Sequence, residues 1–233
     1  MNFQEGEILL VDKPLTWTSF NVVNKVRYEI KKHLKIKKIK VGHAGTLDPL
    51  ATGLLVICTG KKTKTINDFL IDDKEYTGII TLGGTTPSFD LETEIEQTFD
   101  TSSITEEAIY DTAKSFLGEQ YQTPPIFSAK KINGEKAYDK ARRGEEVEMK
   151  KSLVNIYDFD IEKIDGNDIH FRIKCSKGTY IRSIAYDFGA KLNNGAHLTK
   201  LVRTKSGKFD LKDAFKLDDL LEMIKRTETI QIT

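Results

Sequence analysis

The sequence lacks the features of a secreted, membrane-spanning or disulfide-stabilised protein. Only two of its 233 residues are cysteines, Cys58 and Cys175, and each lies in its own apolar run. This predicts buried thiols in strands rather than a disulfide or a metal pair. No apolar run approaches the roughly 20 residues that span a bilayer, and no basic region precedes an apolar one at the N-terminus. We therefore expect a globular protein of the cytoplasm with no membrane contact.

The sequence also lacks the short motifs that mark common metals and cofactors. It contains no zinc-ligand spacing, no phosphate-binding loop and no dinucleotide fingerprint. Any chemistry must then come from the side chains alone, and we expect neither a metal nor a cofactor.

The small net charge of +1 hides a strong segregation of charge along the chain. Residues 1–70 carry twelve Lys or Arg against six Asp or Glu, whereas residues 71–120 carry two against twelve. The basic first third, with "KKHLKIKKIK" at 31–40, and the basic segments beyond residue 121 could line a phosphate-binding face, with the acidic middle facing away. A lysine run is also common at a solvated helix end, so charge alone does not decide for nucleic acid.

Hydrophobic periodicity predicts an α+β fold. A helix capped by Thr18 or Ser19 should carry Phe20, Val23, Val26 and Ile30 at helical spacing. The predicted strands and the hairpin are "EILLVDKP", "GLLVICTG", "KEYTGIITLGG", "SLVNIYDFDIEKIDGNDIHFRIKCSKG" and "LTKLVRTKSGKF". The further predicted helices are "KKTKTINDFL", "ITEEAIYDTAKSFLG" closed by Gly118, "TYIRSIAYDFGAKL" and "LKDAFKLDDLLEMIKR". Because strands come in hairpins as well as in strand–helix units, we expect a mixed, largely antiparallel β-sheet flanked by helices.

The segment near residues 120–151 is predicted to leave the core. It holds a double proline, two internal glycines and eight Lys or Arg between residues 121 and 151. Such a segment suits a basic excursion that clasps a ligand.

One acidic residue, Asp48, stands out in "GHAGTLDPLATGLL", which starts at Gly42. The glycines and Pro49 exclude a long helix and favour a loop of fixed shape. An aspartate in such a loop is often a turn former that caps backbone N–H groups. The functional alternative is a single carboxylate that acts as nucleophile or base, because the usual glycoside hydrolysis needs two carboxylates and this motif offers one.

Six motifs in register resemble those of the TruB family of bacterial tRNA pseudouridine synthases, which isomerise uridine 55 in the T arm. The resemblance covers roughly residues 6–210 and rests on "GEILLVDKPLTWTSFNVV", "VGHAGTLDPLATGLLVICTGKKTK", "DKEYTGIITLGGTTPSFD", "PPIFSAKKINGEKAYDKARRG", "CSKGTYIRSIAYDFG" and "LVRTKSGKF". It implies a pseudouridine-synthase-like catalytic domain spanning 1–233. It also implies a monomeric isomerase that acts on the tRNA T arm without a protein partner.

The resemblance also implies a role for each motif residue. Asp48 corresponds to the catalytic aspartate, and Arg182 to the arginine that pairs with it and keeps it charged. Tyr76 corresponds to the tyrosine that stacks on the target base and is the base or relay for the C5 proton. Tyr180 and Leu201 correspond to a pocket tyrosine and an apolar pocket wall.

Two further roles concern the RNA. The target uridine must be flipped out of a folded loop before a carboxylate can reach it, and His43 matches the family histidine that fills the vacated space. Lys13 is expected to contact the RNA backbone. The same expectation holds for the basic excursion residues Lys130, Lys131, Lys136, Arg142 and Arg143.

The chain departs from the family pattern at several positions. Thr16 stands where a glycine is usual, with Trp17 beside it, and Ser88 stands where threonine is common. The usual glycine after Asp90 is missing. Only 24 residues follow Phe209, so we expect no C-terminal RNA-binding domain of the PUA type. Two alternatives stay open: a tRNA-binding folding module with catalysis secondary or absent, and an enzyme of the same chemistry inside a guide-RNA complex.

Overall fold

The computed structural model describes residues 1–128, 130–132, 134–145 and 148–227, without the side chains of residues 131, 132, 136 and 142. The chain forms two compact units. Unit 1 consists of Met1–Tyr76 together with the described residues from Val202 onward, and unit 2 consists of Thr77–Leu201. No helix in the described part of the chain is long and apolar enough to cross a membrane.

The elements are numbered in chain order. The strands are β1 (Ile8–Lys13), β2 (Val41–Ala44), β3 (Ala51–Thr59), β4 (Lys74–Leu82), β5 (Gly84–Thr85), β6 (Gln97–Thr98), β7 (Gly118–Gln122), β8 (Lys131–Ile132), β9 (Glu135–Lys136), β10 (Ser152–Asp165), β11 (Asp168–Cys175), β12 (Ala196–Ser206), β13 (Phe209–Asp210) and β14 (Phe215–Lys216). The α-helices are α1 (Ser19–Leu34), α2 (Ile66–Leu70), α3 (Glu106–Lys114), α4 (Ala137–Arg142), α5 (Ile181–Lys191) and α6 (Leu217–Arg226). Two 3₁₀ helices span Gly60–Thr65 and Leu211–Asp213.

Unit 1 is built on strands in the order β14-β1-β3-β12, with β2 paired to β3. β14 and β1 are parallel, whereas β1 and β2 each run antiparallel to β3. Helices α1 and α6 pack against each other and cover one apolar layer. The sheet is therefore mixed, and its core lies between the strands and these two helices.

Helix α1 begins at a capping box. Thr18 accepts a hydrogen bond from the Asn21 N–H, and the Asn21 side chain accepts one from the Thr18 N–H, which satisfies two N–H groups that the helix itself cannot pair. Val23, Val26 and Ile30 are buried as their spacing predicts. Phe20 shares that spacing but is 62% exposed, so its spacing does not place it in the core.

Unit 2 is built on strands in the order β12-β4-β11-β10-β7, and strands β4 and β12 each contribute residues to both units. β10 and β11 form the predicted hairpin, closed at Gly166 and Asn167 between Asp165 and Asp168. The core of unit 2 is aromatic. It contains Phe116, Phe159, Phe171 and Phe188, and the ring centroids of contacting pairs lie 5.8 to 6.0 Å apart.

The predicted fold class, a mixed and mostly antiparallel sheet with helices, is confirmed. Cys58 and Cys175 are buried in β3 and β11, as expected. "KKTKTINDFL" is helical as predicted, first as a 3₁₀ helix and then as α2. Two predicted boundaries are wrong. Gly118 opens β7 instead of closing α3, and "LKDAFK" forms a 3₁₀ turn and β14 before α6 begins at Leu217.

Candidate active site

Asp48 lies in a loop of residues 45–50 between β2 and β3, which we call the Asp48 loop, and it is half-buried. The residue before it is held by the start of α1. The Ser19 hydroxyl accepts a hydrogen bond from the Leu47 N–H at 2.8 Å and donates to the Leu47 carbonyl at 3.1 Å. Both backbone groups of a buried residue are thus paired, which fixes this side of the loop.

The residue after Asp48 is held just as firmly. The carbonyl of Pro49 accepts hydrogen bonds from the Thr16 N–H at 2.9 Å and from Lys13 Nζ at 3.3 Å. Lys13 Nζ also donates to the carbonyls of Pro14 and Trp17. The carboxylate of Asp48 therefore sits on a loop whose two flanks are tied to β1 and α1, as a positioned reactive group requires.

Lys13 has no exposed surface within the structure. The sequence predicts a contact between Lys13 and the RNA backbone, but this burial and the three carbonyl partners favour a role in shaping the loop. Burial lowers the pKa of Lys13 to about 8; the Asp48 carboxylate opposes this shift, and the Arg203 guanidinium adds to it. Asp48 therefore has a cation in its surroundings within unit 1.

Arg203, which the sequence analysis did not single out, is a buried cation on β12. Its Nε donates to the Leu54 carbonyl at 2.7 Å, and one terminal nitrogen donates to the Gly45 carbonyl at 3.1 Å. A Cβ on Gly45 would lie 3.2 Å from the guanidinium, so a glycine suits this end of the Asp48 loop. In "LVRTKSGKF" Arg203 follows two apolar residues and precedes polar ones, so the sequence gives little signal that it is buried.

His43 and Tyr76 also belong to unit 1. His43 lies on β2, opposite Ile57 of β3, and is half-buried. Burial lowers the pKa of His43, and Arg203 lowers it further, so the ring is neutral at pH 7 and suited to stacking. Tyr76 lies on β4 and is 9% exposed.

Arg182 lies in the first turn of α5 in unit 2 and is 3% exposed. One terminal nitrogen donates to the Ser88 carbonyl at 3.0 Å, and Nε lies 3.6 Å from a carboxylate oxygen of Asp90. Asp90 is also buried. Asp90 is not among the predicted site residues, and nothing in the sequence around it indicates this buried ion pair. The predicted pairing of Arg182 with Asp48 stays a prediction.

The turn that holds Arg182 carries a strained aromatic residue. Phe89 lies between Ser88 and Asp90, adopts φ of 64°, and stacks on Tyr186 of α5 with centroids 4.2 Å apart. Such a backbone is uncommon for a bulky side chain. The stack fixes the turn that carries Ser88 and Asp90.

Tyr180 and Leu201 complete the predicted set in unit 2. Tyr180 caps α5, and both its backbone groups pair with the Gln122 side chain, at 2.8 Å for the N–H and 3.1 Å for the carbonyl. Leu201 lies on β12 and is 8% exposed. The backbone N–H of Tyr180, at the start of the helix, is thus anchored to β7.

Two of the predicted RNA-contacting residues in the basic excursion, Lys130 and Arg143, have defined contacts. Lys130 Nζ donates to the Lys150 carbonyl and the Ser152 hydroxyl, and Arg143 forms ion pairs with Glu135 and Glu145. The predicted RNA contacts Lys131, Lys136 and Arg142 have side chains that lie outside the described residues.

Comparisons with known proteins identify the class. The chain matches the family model "TruB family pseudouridylate synthase (N terminal domain)" over residues 31–181 and the model "tRNA pseudouridylate synthase B C-terminal domain" over residues 182–231. It is 51% identical over 232 residues to tRNA pseudouridine synthase B of Phocaeicola vulgatus, covering 100% of this chain and 99% of that protein. It is 55% identical over 216 residues to tRNA pseudouridine synthase B of Flavobacterium johnsoniae, covering 92% of this chain and 94% of that protein.

A solved structure has a similar fold. A chain in the crystal structure of a Cbf5-Nop10-Gar1 complex is 31% identical to this one, with a TM-score of 0.71, and the match covers 94% of this chain and 54% of the other. This chain thus spans about half the length of that protein. The two family models and these relatives define a pseudouridine synthase. The chain belongs to the TruB family and is a tRNA pseudouridine synthase, an isomerase.

Proposed function

We propose that this enzyme isomerises uridine 55 in the T loop of tRNA and that the carboxylate of Asp48 begins the reaction on a flipped-out uridine. The observation that carries the proposal is that hydrogen bonds hold the Asp48 loop on both sides of Asp48. Ser19 holds Leu47, while Thr16 and Lys13 hold Pro49. A turn-forming aspartate would not need both neighbours fixed by two other elements.

The reaction fits a carboxylate acting without a metal or a cofactor. It breaks the bond between C1′ of the ribose and N1 of uracil and forms a bond between C1′ and C5. The C5 proton leaves and N1 gains a proton, so the atoms balance without water or a redox partner. Asp48 serves either as the nucleophile or as the base that removes the 2′-proton.

The remaining site residues bind the uracil base and pair with the Asp48 carboxylate. Arg182 pairs with Asp48, and Asp90 with the Ser88 carbonyl fixes the guanidinium in place. Tyr76 stacks on the detached uracil and takes the C5 proton. Tyr180 and Leu201 line the pocket. His43, neutral at pH 7, fills the space that the flipped nucleotide leaves. The enzyme acts as a monomer on the T arm.

The test uses purified protein and an unmodified T-arm hairpin labelled with tritium at C5 of the target uridine. We expect tritium release with the unaltered chain, and a loss of more than about a thousandfold in rate with Asp48→Asn. RNA affinity should change less than threefold. Asp213→Asn is the matched control, because Asp213 is an exposed aspartate of the same unit.

The outcomes separate the alternatives. Turnover by Asp48→Asn at the normal rate would refute the role of Asp48. RNA binding without any turnover by the unaltered chain would favour the tRNA-folding module. A requirement for an added guide RNA would favour the guide-RNA enzyme.

A further inference from the structure

Six lysines of unit 1 form an exposed cationic surface, which we call the lysine surface. Its members are Lys35, Lys37, Lys38, Lys40, Lys61 and Lys62, and all six are exposed. Residues 31–40 contain six lysines and no acidic residue. None of these lysines takes part in the hydrogen bonds described above for the active site.

The first part of the lysine surface, residues 35–40, has a backbone fixed by the end of α1. Lys35 ends α1 in a left-handed conformation, φ of 54°, and the Ile36 N–H bonds to the Lys31 carbonyl at 3.2 Å. This closes the helix in a fixed way. Ile39 packs against the core between the helices and the sheet, so Lys38 and Lys40 on either side of it point outward.

The second part is brought to the first by the hairpin of β2 and β3. Val41 pairs with Thr59, and the Gly60 N–H donates to the Lys40 carbonyl at 2.8 Å. The 3₁₀ helix that begins at Gly60 then carries Lys61 and Lys62. Two lysine groups whose nearest members, Lys40 and Lys61, are 21 positions apart in sequence therefore share one surface.

Most of this charge is not compensated. In the described part of the chain, Lys61 pairs with Glu5 at 2.7 Å, and no ion pair joins the other five lysines to an acid. A solvated helix end would place its lysines in the last turn, where the helix dipole favours them. Residues 35–40 lie beyond that turn, so the dipole does not account for them.

The lysine surface lies far from Asp48. The Asp48 carbonyl accepts the Ala51 N–H at 3.1 Å, so Asp48 is next to the start of β3, while Lys61 and Lys62 follow its end. The eight steps from Ala51 to Thr59 at about 3.3 Å each span roughly 26 Å. Lys61 and Lys62, with Lys40 bonded beside them, thus lie at the opposite end of β3 from Asp48.

We propose that the lysine surface binds phosphates in the double-helical body of the tRNA substrate, away from the T loop. This inference rests on the proposed function, because the distance is measured from Asp48. Uncompensated lysines neutralise phosphates and release bound counterions on contact. The lysine surface then supplies affinity for whole tRNA, and the active site selects the nucleotide.

The test compares two RNAs: a full-length unmodified tRNA transcript, and a T-loop hairpin whose stem is cut to a few base pairs. The variant combines Lys35→Gln, Lys37→Gln, Lys38→Gln and Lys40→Gln. The matched control combines Lys114→Gln, Lys163→Gln, Lys212→Gln and Lys225→Gln, which removes the same charge from exposed lysines that already have an acidic partner. Dissociation constants are measured over a salt series, and a thermal melt confirms folding of each protein.

We expect the lysine variant to bind full-length tRNA about tenfold more weakly or worse, with the slope of log affinity against log salt reduced by about three. Binding of the short hairpin should change less than twofold, and the control should change binding of both RNAs less than threefold. Equal loss with both RNAs would overturn the proposal, because the contact would then be with the loop. Unchanged tRNA binding would overturn it as well. Since binding is measured without turnover, a failure of the lysine surface is distinct from a failure of Asp48.

Discussion

Thr16 illustrates a residue whose backbone conflicts with its side chain. It adopts φ of 68° in the turn between β1 and α1, where a left-handed backbone costs a residue with a Cβ roughly 1–2 kcal/mol. Its side chain is exposed, while its N–H holds the Pro49 carbonyl. The glycine usual in the family would adopt this backbone without that cost. Thr16 is therefore a strained residue next to the Asp48 loop.

We therefore expect Thr16→Gly to raise the free energy of unfolding by about 1 kcal/mol, because it removes the left-handed strain and keeps the N–H. Urea unfolding measures the change. Thr65→Gly is the control. Thr65 is a threonine with φ of −94°, so there glycine should lower stability by about 0.5–1 kcal/mol. A loss of stability at both positions would show that Thr16 is not strained.

At the scale of elements, the start of α1 holds the Asp48 loop through one hydroxyl. Ser19 is buried and pairs with both backbone groups of Leu47. Ser19→Ala would leave both groups buried without that partner, so we expect a loss of about 1–3 kcal/mol in the free energy of unfolding. We also expect a looser loop that lowers the single-turnover rate about tenfold or more with little change in RNA affinity.

The measurement combines urea unfolding with single-turnover kinetics on the T-arm hairpin. Ser102→Ala is the matched control, because the Ser102 hydroxyl is exposed and bonds to the exposed Asp100; it should change stability by less than about 0.5 kcal/mol. If Ser19→Ala lowered stability but left the rate unchanged, the link between α1 and catalysis would be refuted.

The elements that could be predicted from sequence are those whose signals are local. β1 ends before Pro14, α1 has its cap and its valines, and the hairpin of β10 and β11 has its turn residues. Phe20 keeps the helical spacing but falls on the exposed side, because spacing alone does not fix which edge of an apolar stripe meets the core. Likewise, "LKDAFK" forms a turn and β14 because it pairs with β1.

The part of the candidate site that lies in a sequence motif could be predicted. The contacts between residues far apart in sequence could not. Glycine and proline around Asp48 indicate a loop of fixed shape without any knowledge of its partners. Arg203 reaches the Leu54 and Gly45 carbonyls, and Asp90 reaches Arg182. These contacts join residues 92 to 158 positions apart, a separation at which periodicity and spacing carry no information.

At the scale of the whole molecule, charge is segregated along the sequence. Residues 1–70 are basic and residues 71–120 are strongly acidic. In unit 2 the acidic stretch exposes Glu92, Glu94 and Glu96. If this stretch faces away from bound RNA, as the sequence predicts, its charges act across solvent beyond the Debye length, about 8 Å at physiological salt. Removing them should then have little effect on binding.

We expect the combination of Glu92→Gln, Glu94→Gln and Glu96→Gln to change the affinity for full-length tRNA less than about threefold at physiological salt, because screening removes most of the repulsion. The dissociation constant is measured beside that of the lysine variant, which changes the net charge by a similar amount in the opposite sense. Tightening of tenfold or more would place these glutamates against the RNA and contradict the predicted orientation. A small effect here and a large one at the lysine surface would instead show that position, rather than net charge, governs how the enzyme holds tRNA.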